Sequence, residues 1–313
     1  MAALPPQRLQ AFTPPFTNTG IDYFGHYHVS MYRRTQKRWV CLYTCLVTRA
    51  VHLELCESLD VDSFLNSFRR FVARRGTPAH CFSDNGTNLT AGQGCLKQGI
   101  ENWNEQKIIG FAAQRHIEWT FSPPSAPHFG GVWERLVQSA KRALQVVLGS
   151  RVVNEEVLRT LICEVEFLLN GRPLTHVSID PGELNPLTTN HFIIGRNNPN
   201  LPPDVFDANE IISRRRWRSV QALVDSFWKR WLREYAPTLV ERKKWLLERK
   251  NLQVGDVVLV VDDQSPRGHW PMGLVIEVRK DKSGTVRSAQ VKTSSNVYLR
   301  PVSKLCLLEQ AAP

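Results

Sequence analysis

Three acids of this chain stand among apolar or aromatic neighbours, where most of the others fall on helix faces or caps. Asp22 lies inside "GIDYFG", between Ile21 and Tyr23; Asp84 closes the short apolar run of "AHCFSDNG"; Glu134 follows "PHFGGVW". Carboxylates brought together are hard oxygen donors that suit Mg²⁺ or Mn²⁺, leaving positions for water or phosphate oxygens. Two such ions about 3.5–4 Å apart can activate a nucleophile and stabilise a leaving oxygen in phosphoryl transfer. Singly, each acid has a plainer reading. Asp84-Asn85-Gly86 is an ordinary turn sequence, and an Asp at a strand edge can simply hydrogen-bond nearby backbone. The three together, on the elements described next, favour a metal-binding triad of Asp22, Asp84 and Glu134.

The elements that must position these acids follow from periodicity. "TGIDYFGHYHVSMY" has strand composition, and "KRWVCLYTCLVTRAVHLELC" reads as two further strands joined by a tight turn at Thr48-Arg49. In "LDVDSFLNSFRRFVARRG" the residues Phe64, Leu65, Phe68, Phe71 and Val72 recur at helical spacing, with Asp60 or Asp62 as cap and Gly76 as stop. "AHCFSD" is a fourth strand, expected to return parallel to the sheet, and "HIEWTFSP" a fifth, with one or two helices between them. "VWERLVQSAKRALQVVLG" carries an apolar stripe of Trp133, Leu136, Val137, Ala140, Leu144 and Val147. "NEEVLRTLICEVEFLLNGRP" is a helix capped by Asn154 and stopped by Gly171 and Pro173. This order predicts an α/β domain with a mixed five-stranded sheet and flanking helices. Asp22 would lie on the first strand, Asp84 at the end of a parallel neighbour, and Glu134 on a nearby helix.

Composition favours a polyanion as partner, with a merely soluble basic protein as the plainer alternative. The net charge is +11, with 20 Lys and Arg against 16 acids in residues 1–200 and 20 against 13 in 201–313. No apolar run approaches the roughly 18 residues of a membrane span, and the N-terminus lacks the basic-then-apolar order of a signal peptide, so an intracellular protein is expected. Seven cysteines, at 41, 45, 56, 81, 95, 163 and 306, form no CxxC and accompany no His pair at zinc-finger spacing. Cys41 and Cys45 read as small core residues on one strand face.

The domain reading is a tail (1–11), the α/β core (12–171), a Pro- and Asn-rich semi-rigid linker (172–208), a basic Trp-bearing helical segment (209–250) and a small SH3-like β-barrel (251–313). Trp217, Trp228 and Trp231 share a helical face. They could stack on nucleic acid, but an apolar stripe packed on its surroundings is the weightier reading. Arg214, Arg215, Arg216 and Arg218 fit phosphate contact and a solvated face about equally.

"GIDYFG", "FSDNGTN" and "PHFGGVWERLVQSAKRAL" resemble the integrase catalytic core of long-terminal-repeat retrotransposons, specifically the BEL/Pao group, over about residues 12 to 200. "FWKRWLREYAPTLVERKKW" and "VGDVVLV" resemble the domain that follows integrase in the same elements. The resemblance implies a ribonuclease H-like fold and a catalytic, metal-binding triad at Asp22, Asp84 and Glu134 with two Mg²⁺ or Mn²⁺ ions. It also implies DNA as partner, both element ends and target, together with a homo-oligomer and nuclear location, and neither membrane nor small-molecule substrate. Gln138 and Lys141, at i+4 and i+7 from Glu134, match positions that approach element-end DNA, with Arg142 beside them. They equally fit the polar face of an amphipathic helix. "SAPHFGG" would be the active-site loop, with His128 positioning it and Gly130 and Gly131 permitting motion. The chain departs from the family in two ways. Between Asp84 and Glu134 lie 49 residues, more than is usual in retroviral relatives, and no His-His-Cys-Cys zinc module precedes the core. An element fragment or a host copy of core and tail is therefore expected. A catalytically silent nucleic-acid- or chromatin-binding protein is the rival reading. A ribonuclease H-type nuclease is a third, which the position of Glu134 fits less well.

Overall fold

The computed structural model of the chain describes residues 7, 9–10, 12–31, 34–83, 105–121, 134–176, 186–196, 216–239, 251–261, 271–281, 284–294 and 296–311, without the side chains of 105, 134–137, 175–176 and 236–239. The chain divides into two units, Met1–Asn170 with Phe206–Phe227, and Gly171–Val205 with Trp228–Pro313. No helix among the described residues is long and apolar enough to cross a membrane.

In the first unit the elements run β1 (Asn18–Met31), β2 (Arg34–Cys45), β3 (Val51–Cys56), α1 (Val61–Arg75), β4 (His80–Ser83), α2 (Glu105–Ala113), β5 (Glu118–Phe121), α3 (Glu134–Leu148), β6 (Val152–Asn154) and α4 (Glu155–Asn170). The main sheet has the order β3-β2-β1-β4-β5. β1, β2 and β3 form the expected antiparallel meander, and β4 and β5 join in parallel after the crossover through α1. This 3-2-1-4-5 order, with only β2 reversed, is the ribonuclease H-like topology. A sixth strand adds to the expected five: β6 pairs in parallel with the far end of β1, from His28 opposite Val152 to Ser30 opposite Asn154. Three residues are too few to show a period, which is why the sequence did not disclose it.

α1 is positioned by its caps and its aromatic stripe. The Asp60 carboxylate accepts from the Ser63 N–H at 2.7 Å, and Gly76 closes the helix at φ 91°. Phe64, Phe68 and Phe71 are fully buried, and Phe71 stacks on Tyr43 of β2 with centroids 4.3 Å apart. Each such ring contributes about 1.5–3 kcal/mol of burial. α4 is capped by Asn154, whose side chain accepts from the Glu156 N–H at 3.0 Å. At its other end, buried Asn170 accepts from the Val51 N–H at 2.9 Å and donates to the Val51 carbonyl at 2.7 Å. It thereby completes the hydrogen bonding of a β3 residue at the sheet edge. Cys41 and Cys45 are core residues, as their strand position suggested.

Beside that staple, β3, α1 and α4 share a buried charge cluster. His52 Nε2 lies 3.1 Å from Glu54 and Nδ1 3.1 Å from Glu166. Glu54 also takes Arg70 at 2.6 Å and Arg74 at 2.9 Å, and Glu166 takes Arg75. Burial works against charge on His52, but its hydrogen bonds to Glu166 and Glu54 outweigh burial and the nearby Arg75, raising its pKa above the ordinary value. Burial likewise opposes charge on Glu54 and Glu166, yet His52 and the arginines hold both below the usual carboxylate range. The signs are opposite. The stability His52 contributes is full below its unfolded pKa of about 6.5 and is lost as pH rises through the higher folded value. That of the two glutamates is full above about 4.3 and is lost as pH falls through their lower folded values. Melting temperatures read by calorimetry are therefore expected to decline on the alkaline side of about pH 6.5, and His52→Gln should flatten that decline relative to wild type.

In the second unit, β7 (Pro173–His176) and β8 (Pro186–Thr188) pair antiparallel, and α5 (Thr189–Ile194) follows directly. Residues 173–176 and 186–194 of the segment read as a linker thus lie in strands and a helix. α6 (Arg216–Leu239) begins in the first unit and ends in the second. β9 (Val257–Val260), β10 (Met272–Lys280), β11 (Val286–Thr293), β12 (Val297–Pro301) and β13 (Leu305–Glu309) form an antiparallel sheet of order β12-β11-β10-β9-β13, with a 3-10 turn at Val302–Lys304. A five-stranded meander whose last strand returns beside the first after a 3-10 turn is the SH3-like arrangement. Its core holds Val258, Val260, Val275, Ala289, Val291 and Leu305. Gly273 is where β10 and β11 come closest: a Cβ there would stand 2.2 Å from Val291 Cγ1 and 2.9 Å from the Lys292 carbonyl oxygen. Gly273→Ala should destabilise this sheet by about 1–3 kcal/mol, measurable as an earlier urea midpoint for this unit.

Candidate functional site

The period of two along β1 sorts its side chains onto two faces. Tyr23 turns toward α1: its ring lies 6.3 Å from that of Phe64, and its hydroxyl is 3.4 Å from Cys56 Sγ. Asp22 and Phe24 turn to the opposite face, where α3 crosses the strand. Lys141 of α3 forms an ion pair with Asp22 through Oδ2, and its Nζ stands 5.5 Å from the centroid of the Phe24 ring. The other oxygen of Asp22 accepts from the Tyr23 N–H at 2.7 Å, which sets the carboxylate's orientation. The two ion-paired side chains are 26% and 23% exposed, so the pair is sheltered yet within reach of solvent.

A bulge follows this stretch. The β1–β2 register shifts between Phe24 and Tyr27, where Gly25 takes φ 94°. One extra residue returns Tyr27 to the face of Phe24, with ring centroids 6.4 Å apart. A Cβ on Gly25 would meet the Tyr27 ring at 3.0 Å, so glycine is needed for both conformation and space. Phe24 and Tyr27, both buried, make an aromatic floor whose Phe24 ring lies beside the Lys141 ammonium. Sequence reasoning missed this floor, although the i, i+2 spacing of Asp22 and Phe24 was a signal for their shared face.

The other expected site residues meet the structure unevenly. β4 pairs with β1 as far as Ser83 opposite Ile21, one residue short of both Asp84 and Asp22. Asp84 itself lies outside the described residues, as do His128, Gly130, Gly131, Arg214 and Arg215. Glu134 begins α3, two turns before Lys141 on the same helix face, with its side chain outside the description. Gln138 and Arg142 are exposed on α3, whereas Ala140, Ala143, Leu144, Val147 and Leu148 are buried. Lys141, one of the residues expected to approach DNA, is ion-paired with Asp22. Arg216 pairs with Glu156 at 2.7 Å on the surface, and the Arg218 guanidinium lies 5.7 Å from the centroid of the Trp217 ring.

The three tryptophans separate. Trp228 and Trp231 are buried with ring centroids 5.7 Å apart, and Trp231 stacks on Tyr235 at 4.6 Å. Trp217 is 57% exposed. Packing therefore accounts for two of them, and Trp217 with Arg218 is what remains on the surface.

Among the described residues, no group of three or more His, Cys, Asp or Glu is placed to hold a metal ion. Asp22 supplies one described carboxylate of the expected set. Its donor chemistry fits a hard divalent cation, and Lys141 shows that its Oδ2 can be reached by a cation. A cavity of about 580 Å³ lined by Arg38, Asp60, Arg70, Glu155 and Arg159 lies elsewhere in the unit, and Asp22 does not contribute to it.

Residues 215–308 match a family model described as a family of unknown function, DUF5641. No curated protein matches the chain. Among solved structures, it is similar to a chain of the simian T-cell lymphotropic virus intasome in complex with PP2A regulatory subunit B56 gamma. That alignment has 11% identity and TM-score 0.39 over 96% of this chain and 80% of that one. It is also similar to the HTLV-2 integrase catalytic core domain in complex with magnesium, trimeric form, at 16% identity and TM-score 0.34 over 52% of this chain and 90% of that one. The BIV integrase catalytic core domain aligns at 16% identity and TM-score 0.36 over 57% and 95%. The fold assignment rests on strand order and not on these alignments.

The geometry makes Asp22 separable from folding. The Asp22–Lys141 pair is partly exposed, and such pairs contribute at most about 1 kcal/mol. Asp22→Asn should keep the wild-type circular dichroism spectrum and melt within about 4 °C of wild type.

Proposed function

We propose that the chain is the catalytic core and following domain of a BEL/Pao-type retrotransposon integrase, a polynucleotidyl transferase that processes element DNA ends and joins them to target DNA. The observation that carries this reading is the placement of Asp22. It sits on the central strand of a ribonuclease H-like sheet, beside the end of β4 that leads into Asp84, and under the helix that Glu134 begins. Asp22, Asp84 and Glu134 would hold Mg²⁺ or Mn²⁺, two ions in number. When bound, the ions supply Lewis-acid stabilisation of charge at phosphorus and a more reactive nucleophile.

The chain's own residues do the rest. The Tyr23 N–H orients Asp22, and the Phe24 ring, packed against Tyr27, lies beside the Lys141 ammonium. Exposed Gln138 and Arg142 on α3, with Lys141, would take element-end DNA. Arg214, Arg215, Arg216 and Arg218 would contact phosphates, and exposed Trp217 beside Arg218 offers a ring for stacking. His128, Gly130 and Gly131 would belong to the active-site loop. In the joining step the terminal 3′-hydroxyl oxygen bonds to a target phosphorus as that phosphorus loses its bond to the leaving 3′-oxygen, so bond number is conserved and no covalent protein intermediate arises. A homo-oligomer acting in the nucleus belongs to the same reading.

One observation favours the second reading, a catalytically silent nucleic-acid- or chromatin-binding protein: the Asp22 carboxylate is already neutralised by Lys141. Strand transfer with Mn²⁺ or Mg²⁺ and matched terminal-repeat ends separates the two. Asp22→Asn, Asp84→Asn and Glu134→Gln should each lower product formation by about 10²-fold or more. Equal turnover by wild type and Asp84→Asn would sink the triad. Salt-sensitive DNA binding that survives loss of all three acids, with no turnover by wild type, would establish the silent binder.

A further inference from the structure

We infer that Lys141 is an internal counter-ion that occupies the Asp22 seat in the metal-free protein and must leave it for a divalent cation to bind. The inference rests on the reading of Asp22 as a metal ligand. Three features of the seat support it. Asp22 Oδ1 accepts from the Tyr23 N–H at 2.7 Å, whereas Oδ2 is the oxygen that already receives a cation, the Lys141 ammonium. The ammonium also lies near the face of the Phe24 ring, at 5.5 Å from its centroid, and ring faces attract cations. A carboxylate oxygen with an aromatic face beside it is a cation seat, and the chain fills that seat with its own charge.

The seat is also built to be vacated. Both partners are about a quarter exposed, so neither is locked in by burial. Lysine carries a compact charge on a flexible stem, which can swing to water without moving α3. Gln138 and Arg142 lie on the exposed side of the helix, where a released ammonium would join them. An ammonium and a divalent ion brought together on Oδ2 repel one another and compete for the same carboxylate charge. The metal's apparent affinity is therefore reduced by the fraction of molecules in which Asp22 is free. By linkage, metal binding must raise the fraction of free Lys141. For a partly exposed pair the penalty is about 3- to 10-fold in dissociation constant. Lys141 would thus set the metal concentration at which the site loads, a positioning role distinct from contacting DNA.

Mn²⁺ binding to the full chain without DNA, followed by electron paramagnetic resonance, tests this directly. Lys141→Gln, with Lys141→Met as a second uncharged variant, should bind Mn²⁺ about 3- to 10-fold more tightly than wild type, and Asp22→Asn should bind it far more weakly. In wild type, amine-selective labelling of Lys141 read by mass spectrometry should rise as Mn²⁺ is added, and this measurement needs no variant. If Asp22→Asn loses Mn²⁺ while both Lys141 variants match or fall below wild type and labelling stays constant, the counter-ion role is overturned and the metal reading stands. If Asp22→Asn binds Mn²⁺ as wild type does, the metal reading of Asp22 fails and the inference falls with it.

Discussion

A carboxylate on the central strand of a covered sheet must be paired or wetted, because an ionised group left alone in that position is costly. In this protein the constraint falls on Asp22, flanked by buried Ile21 and Tyr23. The strand's period of two directs its two buried neighbours toward α1 and leaves Asp22 and Phe24 to the face that α3 covers. From that one alternation follow the position of α3, the use of Lys141 as partner, and the need for a bulge that brings Tyr27 back beside Phe24. Gly25 is part of the same solution, since its φ of 94° suits glycine and a Cβ there would crowd the Tyr27 ring at 3.0 Å.

Charge is handled differently at the β3 edge of the sheet. Buried His52 and Glu54 and half-buried Glu166 are satisfied by one another and by Arg70, Arg74 and Arg75. Breaking one member of such a cluster leaves a buried charge without compensation, whereas the exposed Arg216–Glu156 pair can open at little cost. The cluster ties β3 to α1 and α4 and reads as structural. The Asp22–Lys141 pair is intermediate in exposure, which suits a contact that changes partners.

Much of the first unit was legible along the chain. The alternation of β1 to β3, the Phe64-Phe68-Phe71 stripe, the caps at Asp60 and Gly76, and the parallel return of β4 are local patterns or simple consequences of them. The paired strands at 173–176 and 186–188 were not, because proline-rich composition speaks for a stiff chain and not for which strand it will meet. Nor was the split among the tryptophans. Trp217, Trp228 and Trp231 share a helical face by spacing, yet only the last two are buried, since burial depends on what packs against each turn of α6 and not on periodicity.

The sequence by itself determined that Asp22 is an acid within an apolar strand, that Glu134 heads a long amphipathic helix, and that Asp84 follows directly on a strand. These depend on residue type and on periods of two and 3.6. Only the tertiary structure decided that α3 is laid over β1 so that Lys141 meets Asp22 and not solvent, and that Phe24 lies beside the pair. The separation of 119 positions between Asp22 and Lys141 carries no local trace of that meeting. It arises from packing α3 onto one face of the sheet, which joins positions that no sequence period connects.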